Sequence, residues 1–244
     1  AVLGVEVCHR DPGVAMFGLH NALLPFGSNF IEVVSPTQQG TAAGRYLERR
    51  KGDGGYMVIL DTEELPRWRR HVAEIAVRIA APLALDDYEG MQLHPRDTGG
   101  ALLEINTTRG GANPLGAYWP AGPHWQQAVR TEVVDGIRGV TVQSPDPVAT
   151  AARWAAILET DVVDGTVALD NGTRLAFEID RTIFPSKSKF KEATVERMKA
   201  VGREQAVNVM SEMQHATLDV VALWATQVDL TVPGRPKRDP LYLL

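Results

Sequence analysis

One structural phrase is written three times along this chain, and nothing else in the sequence limits the fold as tightly. The segments LLPFGSNFIEVV (23–34), MQLHPRDTGGALLEI (91–105) and TVALDNGTRLAFEI (166–179) each join an apolar strand, a Gly/Asn/Asp turn and a second strand. Every second strand holds a hydrophobic pair, a glutamate and another apolar residue, which sets Glu32, Glu104 and Glu178 apart by 72 and 74 residues. Turn residues between two short apolar runs predict β-hairpins, and their recurrence at a near-constant period predicts a repeated module.

The inserts between the hairpins repeat as well. MVILDT (57–62) runs into TEELPRWRRHVAEI, with Thr62 the expected N-cap, and GVTVQSPD (139–146) runs into PVATAARWAAILE, with Asp146 as N-cap and Pro147 in the first turn. Both helices hand over to a short strand, near residues 77–79 and 161–162, so the module reads strand, helix and three further strands. Leu3–Val7 reads as the same handover with its strand and helix missing upstream, so the chain is expected to begin partway through a module. The stretch 107–125, rich in Gly, Pro and aromatics, reads as a long connection. Beyond residue 180 the spacing of Val207, Met210, Leu218, Val221, Ala225 and Val228 predicts helix over 190–228. The expected fold is therefore α+β: βαβββ modules on a curved mixed sheet around a cavity over 1–181, then a helical tail over 182–244.

With 244 residues, 44% of them hydrophobic, the chain can bury a large core. A net charge of −5 offers no footprint for nucleic acid. Cys8 is the single cysteine, which rules out an internal disulfide and a cysteine metal cluster, and fits a reducing cytoplasm. Apolar runs stop short of membrane-spanning length, so no membrane partner is expected.

The repeated glutamates carry the first chemical reading. Alternate strand residues share a face, so Glu32 and Glu104, at matching places in adjacent modules, are expected to reach one shared cavity; in the plain alternative each faces water on an amphipathic strand. His20 and Asn21 are expected on the strand facing that cavity, with Gln92 and His94 two residues apart on one face of theirs. A neutral imidazole there serves as base, acid or ligand, although His94-Pro95 also starts a turn. His71 beside Arg69 and Arg70 reads as a solvated face, and His124 reads as a mouth or a packing residue.

These residues carry a resemblance. GTAAGRYLERRKGDGGYMVILDTEEL followed by MQLHPRDTGGALLEIN resembles the vicinal oxygen chelate superfamily, which includes glyoxalases, bleomycin-resistance proteins and extradiol dioxygenases. Ile31-Glu32-Val33-Val34-Ser35-Pro36, Gly54-Gly55-Tyr56-Met57-Val58 and His94 to Glu104 are similar to the methylmalonyl-CoA epimerase pattern, and Leu19 to Gly27 looks like the opening of bacterial glyoxalase-like proteins. The resemblance implies a site with Glu104 as last-strand metal ligand or base, Glu32 opposite as second ligand, and His20 assisting catalysis. It also implies one divalent metal, Mn, Fe, Co or Zn. The histidine that the family carries after Gly54-Gly55 is replaced by Tyr56, Met57 and Val58. The tail at 202–241 resembles carboxymuconolactone decarboxylase-like proteins without their Cys-x-x-Cys chemistry.

Two function classes stay open at this stage. One is a glyoxalase-like enzyme of lyase, isomerase or dioxygenase type acting on a small oxygen-bearing molecule, with Glu104 and His20 catalytic and Asn21, Gln92, Tyr56, Met57 and Phe17 binding substrate. The other is a metal-free module that binds or sequesters a small molecule in a cup lined by Phe17, Leu19, Tyr56, Met57 and Tyr118 or Trp119. An uncovered sheet edge at the half-module makes a homodimer the expected assembly.

Overall fold

In the computed structural model, residues 3–99 and 101–179 are described, together with backbone strands at 221–222, 225–231 and 241–243. All three repeated segments are antiparallel or mixed-sheet hairpins. β1 (Leu19–Phe26) pairs with β2 (Asn29–Pro36), and the second hairpin joins β5 (Tyr88–Leu93) to β6 (Leu102–Thr108). The third joins β9 (Thr166–Ala168) to β10 (Arg174–Ile179).

Two complete βαβββ modules follow the half-module. In the first, β3 (Met57–Asp61), α2 (Leu65–Glu74) and β4 (Ile79–Ala84) precede the hairpin, and β3 lies parallel to β6 in the order β3-β6-β5-β4. In the second, β7 (Gly136–Ser144), α3 (Pro147–Ile157) and β8 (Val162–Val163) precede β9 and β10, and β7 lies parallel to β10. A parallel first and last strand is what a helical crossover permits. Where the sequence suggested one curved sheet, hydrogen bonding divides the described strands among three, with β1 and β2 joined by a short tail strand at Val221–Ala222 that pairs antiparallel with β2.

Helix starts follow from their first residues. Asp146 caps α3 by accepting from Ala149 N at 3.0 Å, and Pro147 needs no partner for its nitrogen in the first turn. Thr62 is not the N-cap of α2: Glu64 holds that position, while Thr62 Oγ1 accepts from Glu64 N at 3.2 Å and from the Trp68 indole at 3.1 Å. A helix also forms over α1 (Ala42–Arg50), where the hairpin repeat predicts nothing; Thr41 caps it by accepting from Gly44 N at 2.9 Å.

The principal core lies between the two complete modules. Val58, Leu93, Leu103 and Ile105 of one meet Val142, Trp154, Ile157 and Leu175 of the other. Trp154 is fully buried, and its indole donates to Thr98 O at 2.8 Å, so this large ring leaves no polar atom unmatched. His71, expected on a solvated face, instead sits beside α3, with Nε2 2.9 Å from Ala156 O and Nδ1 3.4 Å from Glu159. A separate cluster of Leu23, Ala121 and Trp125, flanked by Phe30 and Tyr118, folds the long connection back across the first hairpin.

The tail departs from its helical expectation. Residues 190–220 lie outside the described residues, but 221–222 form β11 (Val221–Ala222) and 225–231 form β12 (Ala225–Thr231) rather than helix. β12 pairs antiparallel with β7, and β13 (Leu241–Leu243) pairs with β12. Val228 and Leu230 alternate with Gln227, Asp229 and Thr231, a period of two that the helical reading passed over. An open β7 edge rewards that alternation with a ladder of backbone hydrogen bonds.

Gly27 begins the two-residue turn of the first hairpin at φ +62, and a Cβ there would stand 2.6 Å from the Asp135 carbonyl oxygen. Gly172, at φ +83, has nothing within 4 Å of such an atom. Gly172→Ala should therefore cost about 1–2 kcal/mol from backbone strain alone, and Gly27→Ala should cost at least about 1 kcal/mol more from the clash. Denaturant unfolding of both variants checks this; equal losses would show that the Asp135 segment yields.

Candidate functional site

The strand period of two divides β6 between two interiors. Leu103 and Ile105 enter the core, while Glu104, Asn106 and Thr108 turn toward the opposite side, where β6 faces the first hairpin. β2 divides in the same way: Ile31 packs beside Phe26 and Val134, whereas Phe30, Glu32 and Val34 share the other face. Between these faces lies a cavity of about 210 Å³, and Glu32 and Glu104 both line it. The β1–β2 hairpin supplies one wall and sheet β3-β6-β5-β4 the other.

Glu104 is only 3% exposed and is held by several donors. The Tyr88 hydroxyl donates to Oε1 in a short bond, Asn106 Nδ2 reaches the same oxygen at 3.4 Å, and Gln92 Nε2 donates to Oε2 at 2.9 Å. Gln92 stands directly across the strand pair from Glu104, so register alone brings this couple together. Gly90, between Tyr88 and Gln92 on β5, makes room: a Cβ there would lie 3.2 Å from Asn106 Cβ and 3.6 Å from Glu104 Oε1. A buried carboxylate without such donors would lose far more in desolvation than its strand could return.

Glu32 is less well supplied. Asn21 Nδ2 donates to Oε1 at 2.7 Å, and Asn21 is itself anchored because its Oδ1 accepts from Asp11 N at 2.7 Å. Burial pushes the Glu32 carboxyl up to about 7; the Asn21 hydrogen bond opposes this, while the charges of Glu104 and Asp11 add to it. Glu32 thus holds a proton near neutral pH in the same cavity as the donor-bound Glu104.

Tyrosines complete the polar part. Burial holds the Tyr88 and Tyr118 hydroxyls well above the ordinary phenol range, and the nearby glutamates push both further. Both rings therefore stay protonated as hydrogen-bond donors. The Tyr118 ring stacks on Phe30 with centroids 4.8 Å apart, which ties the long connection to the strand that carries Glu32. Asn106 Oδ1 is buried with no hydrogen-bond partner. Tyr56, Met57, Ile59, Leu19 and Val34 make the apolar wall, and Met16 and Phe17 lie at its exposed rim.

The structure sorts the sequence candidates. Glu32, Glu104, Gln92, Tyr56, Met57 and Phe17 all line the cavity. Asn21 is buried behind Glu32 and positions it. His20 does not join them: it is exposed on β1, because Leu19 and Asn21 take the inward face and the residue between must point away. His94 serves its turn, with Nδ1 accepting from Arg96 N at 3.2 Å, and His124 is exposed. Glu178, the third repeated glutamate, is also exposed. Tyr88, Asn106 and Asp11 have no counterpart in the sequence reading. Tyr88 could have been found from its spacing of four to Gln92 on one strand face; Asp11 and Asn106 could not.

Glu32 and Glu104 do not by themselves suit Mn, Fe, Co or Zn. Such ions need three or more protein donors, and among the described residues no group of three His, Cys, Asp or Glu side chains is placed to hold one. Glu104 has already committed its oxygens to Tyr88, Gln92 and Asn106, and no imidazole lines the cavity.

Because Glu32 keeps its proton up to about pH 7 in the folded chain but has an ordinary value of 4.5, stability should fall as pH rises between these limits. Glu32→Gln, a neutral stand-in, removes that loss. Its melting temperature should exceed that of the parent by several degrees at pH 8 and converge with it near pH 5. A variant that melts lower at pH 8 would show that the ionised carboxylate is compensated after all.

The methylmalonyl-CoA epimerase of Streptomyces coelicolor, in complex with 2-nitronate-propionyl-CoA, superposes with a TM-score of 0.39 at 23% identity, covering 43% of this chain and 80% of that one. The methylmalonyl-CoA epimerase of Mycobacterium tuberculosis gives 0.37 at 20% identity over 43% and 73%, and a hypothetical protein of Bacillus halodurans gives 0.38 at 21% over 46% and 81%. No curated protein matches the chain. The sequence profile of the glyoxalase-like domain matches residues 2–158, through the half-module, the first complete module and α3, and the chain belongs to the glyoxalase-like domain family.

Proposed function

We propose that this chain is a glyoxalase-like enzyme that moves a proton on a small oxygen-bearing organic molecule, in an isomerase or lyase type of reaction. The observation that supports this most is the convergence of Glu32 and Glu104, from separate sheets, on one cavity with differently furnished surroundings. A carboxyl group whose value lies at about 7 can take and return a proton at neutral pH, which is the requirement for general acid–base catalysis.

In this reading Glu32, as carboxylate, removes a proton from the carbon next to a substrate carbonyl. Electrons from the broken C–H bond shift to the carbonyl oxygen, and the Tyr118 hydroxyl, which borders the same cavity, donates a hydrogen bond to the resulting enolate. Glu32, now protonated, returns the proton to the same or the adjacent carbon. Asn21 fixes the Glu32 carboxyl through its 2.7 Å hydrogen bond, and Gln92 and Tyr88 keep Glu104 in place. No step passes through a metal, because the described residues do not make a complete ligand set.

A second reading, a metal-free binding protein, draws on the apolar wall of Leu19, Val34, Met57 and Ile59. Incubating the protein in D2O with small 2-hydroxy and 2-amino ketones, and following deuterium uptake by NMR, separates the two. Exchange unaffected by EDTA and reduced about a hundredfold or more by Glu32→Gln is expected for the enzyme. Binding without exchange would favour the binder.

We also propose a cytoplasmic homodimer. No described helix is long and apolar enough to cross a membrane, and β3 and β4 are the outer strands of their sheet among the described residues. Light scattering should give twice the chain mass; a monomer at micromolar concentration overturns this assembly.

A further inference from the structure

Among the described residues, the carboxyl groups at the cavity face no cationic side chain. Asp11, Glu32 and Glu104 line it, and no described Lys, Arg or His does. The nearest cations stay outside. Arg45 and Arg49 are exposed on α1, where their charges reach the Tyr56 hydroxyl, and Arg10 is exposed and donates to Asn21 O at 3.4 Å. Asp11 is buried and spends one carboxylate oxygen on Gly13 N at 2.7 Å. No described cation therefore lines the cavity to meet a carboxylate brought by a guest.

The rest of the lining is suited to the opposite charge. Tyr56, Tyr88, Tyr118 and Trp119 all border the space, and Tyr88 and Trp119 stand 5.9 Å apart with planes tilted by 32°. Aromatic faces attract a cation through their negative quadrupoles, more strongly where water is excluded. An anionic guest would shed its hydration only to meet like charges, whereas an ammonium group would meet carboxylate oxygens and ring faces together.

From this lining we propose that the cavity selects small molecules bearing a protonated amine or quaternary ammonium group, held between Glu32, Glu104 and the surrounding aromatic rings. This rests on the reading of the same cavity as the substrate site, and it narrows the substrate to amine-bearing oxygen compounds. Negatively charged acids are rejected.

Three probes of one shape and different charge test the selection: benzylamine, benzyl alcohol and benzoate, titrated calorimetrically into the full chain at neutral pH with EDTA present. Benzylamine should bind about tenfold or more tightly than benzyl alcohol, and benzoate should not bind. Glu32→Gln, shown folded by circular dichroism, should remove most of the preference for the amine while leaving benzyl alcohol binding in place. Benzoate binding as tightly as benzylamine, equal affinity for amine and alcohol, or no binding by any probe would each overturn the proposal. Deuterium exchange reads the catalytic proposal separately: exchange with no amine preference sinks this inference alone, and amine preference without exchange sinks only the enzyme.

Discussion

β6 is buried on both sides, and the rest of the molecule is arranged around that condition. One face gives Leu103 and Ile105 to a dry core; the other places Glu104 at a cavity wall, with Asn106 buried beside it and almost no exposure for either. A strand can hold a carboxylate in such a place only if neighbouring strands bring donors to it. β5 does so through Tyr88 and Gln92, and Gly90 between them leaves the space that the carboxylate fills. The parallel pairing of β3 with β6 then sets Met57 and Ile59 beside the same wall.

The two glutamates come from equivalent places in a repeated pattern but have different chemistry. Three donors surround Glu104, and one amide serves Glu32. Burial with a single amide donor raises the Glu32 carboxyl, so its difference in function arises from neighbours rather than from the glutamate itself. Asp11 strengthens the asymmetry by adding a like charge near Glu32. The third copy, Glu178, is exposed.

The long connection after β6 has a structural task and a functional one. Trp125 anchors it in the first hairpin, with its indole donating to Gly116 O at 3.0 Å and its ring edge-on to Phe30. That anchoring carries Tyr118 and Trp119 to the cavity, where they close a space that two sheets alone would leave open. A loop of this length and composition earns its order through packing rather than backbone ladders.

Sequence alone determined the modules: alternation, turn residues and the near-constant period located all three hairpins and both crossover helices, because these depend on contacts between residues close in the chain. It also singled out Glu32 and Glu104, since a period of two decides which residues share a face. Tertiary structure decided the rest. His20 lost its place because its neighbours Leu19 and Asn21 took the inward face, and 225–231 became strand where an apolar spacing compatible with both periods met a free β7 edge. Asp11, Tyr88, Asn106 and Tyr118 gained their places from elements far apart in sequence. Whether a buried glutamate is ionised or protonated depends on how many donors and like charges stand within a few ångströms, and that count exists only once the sheets have met.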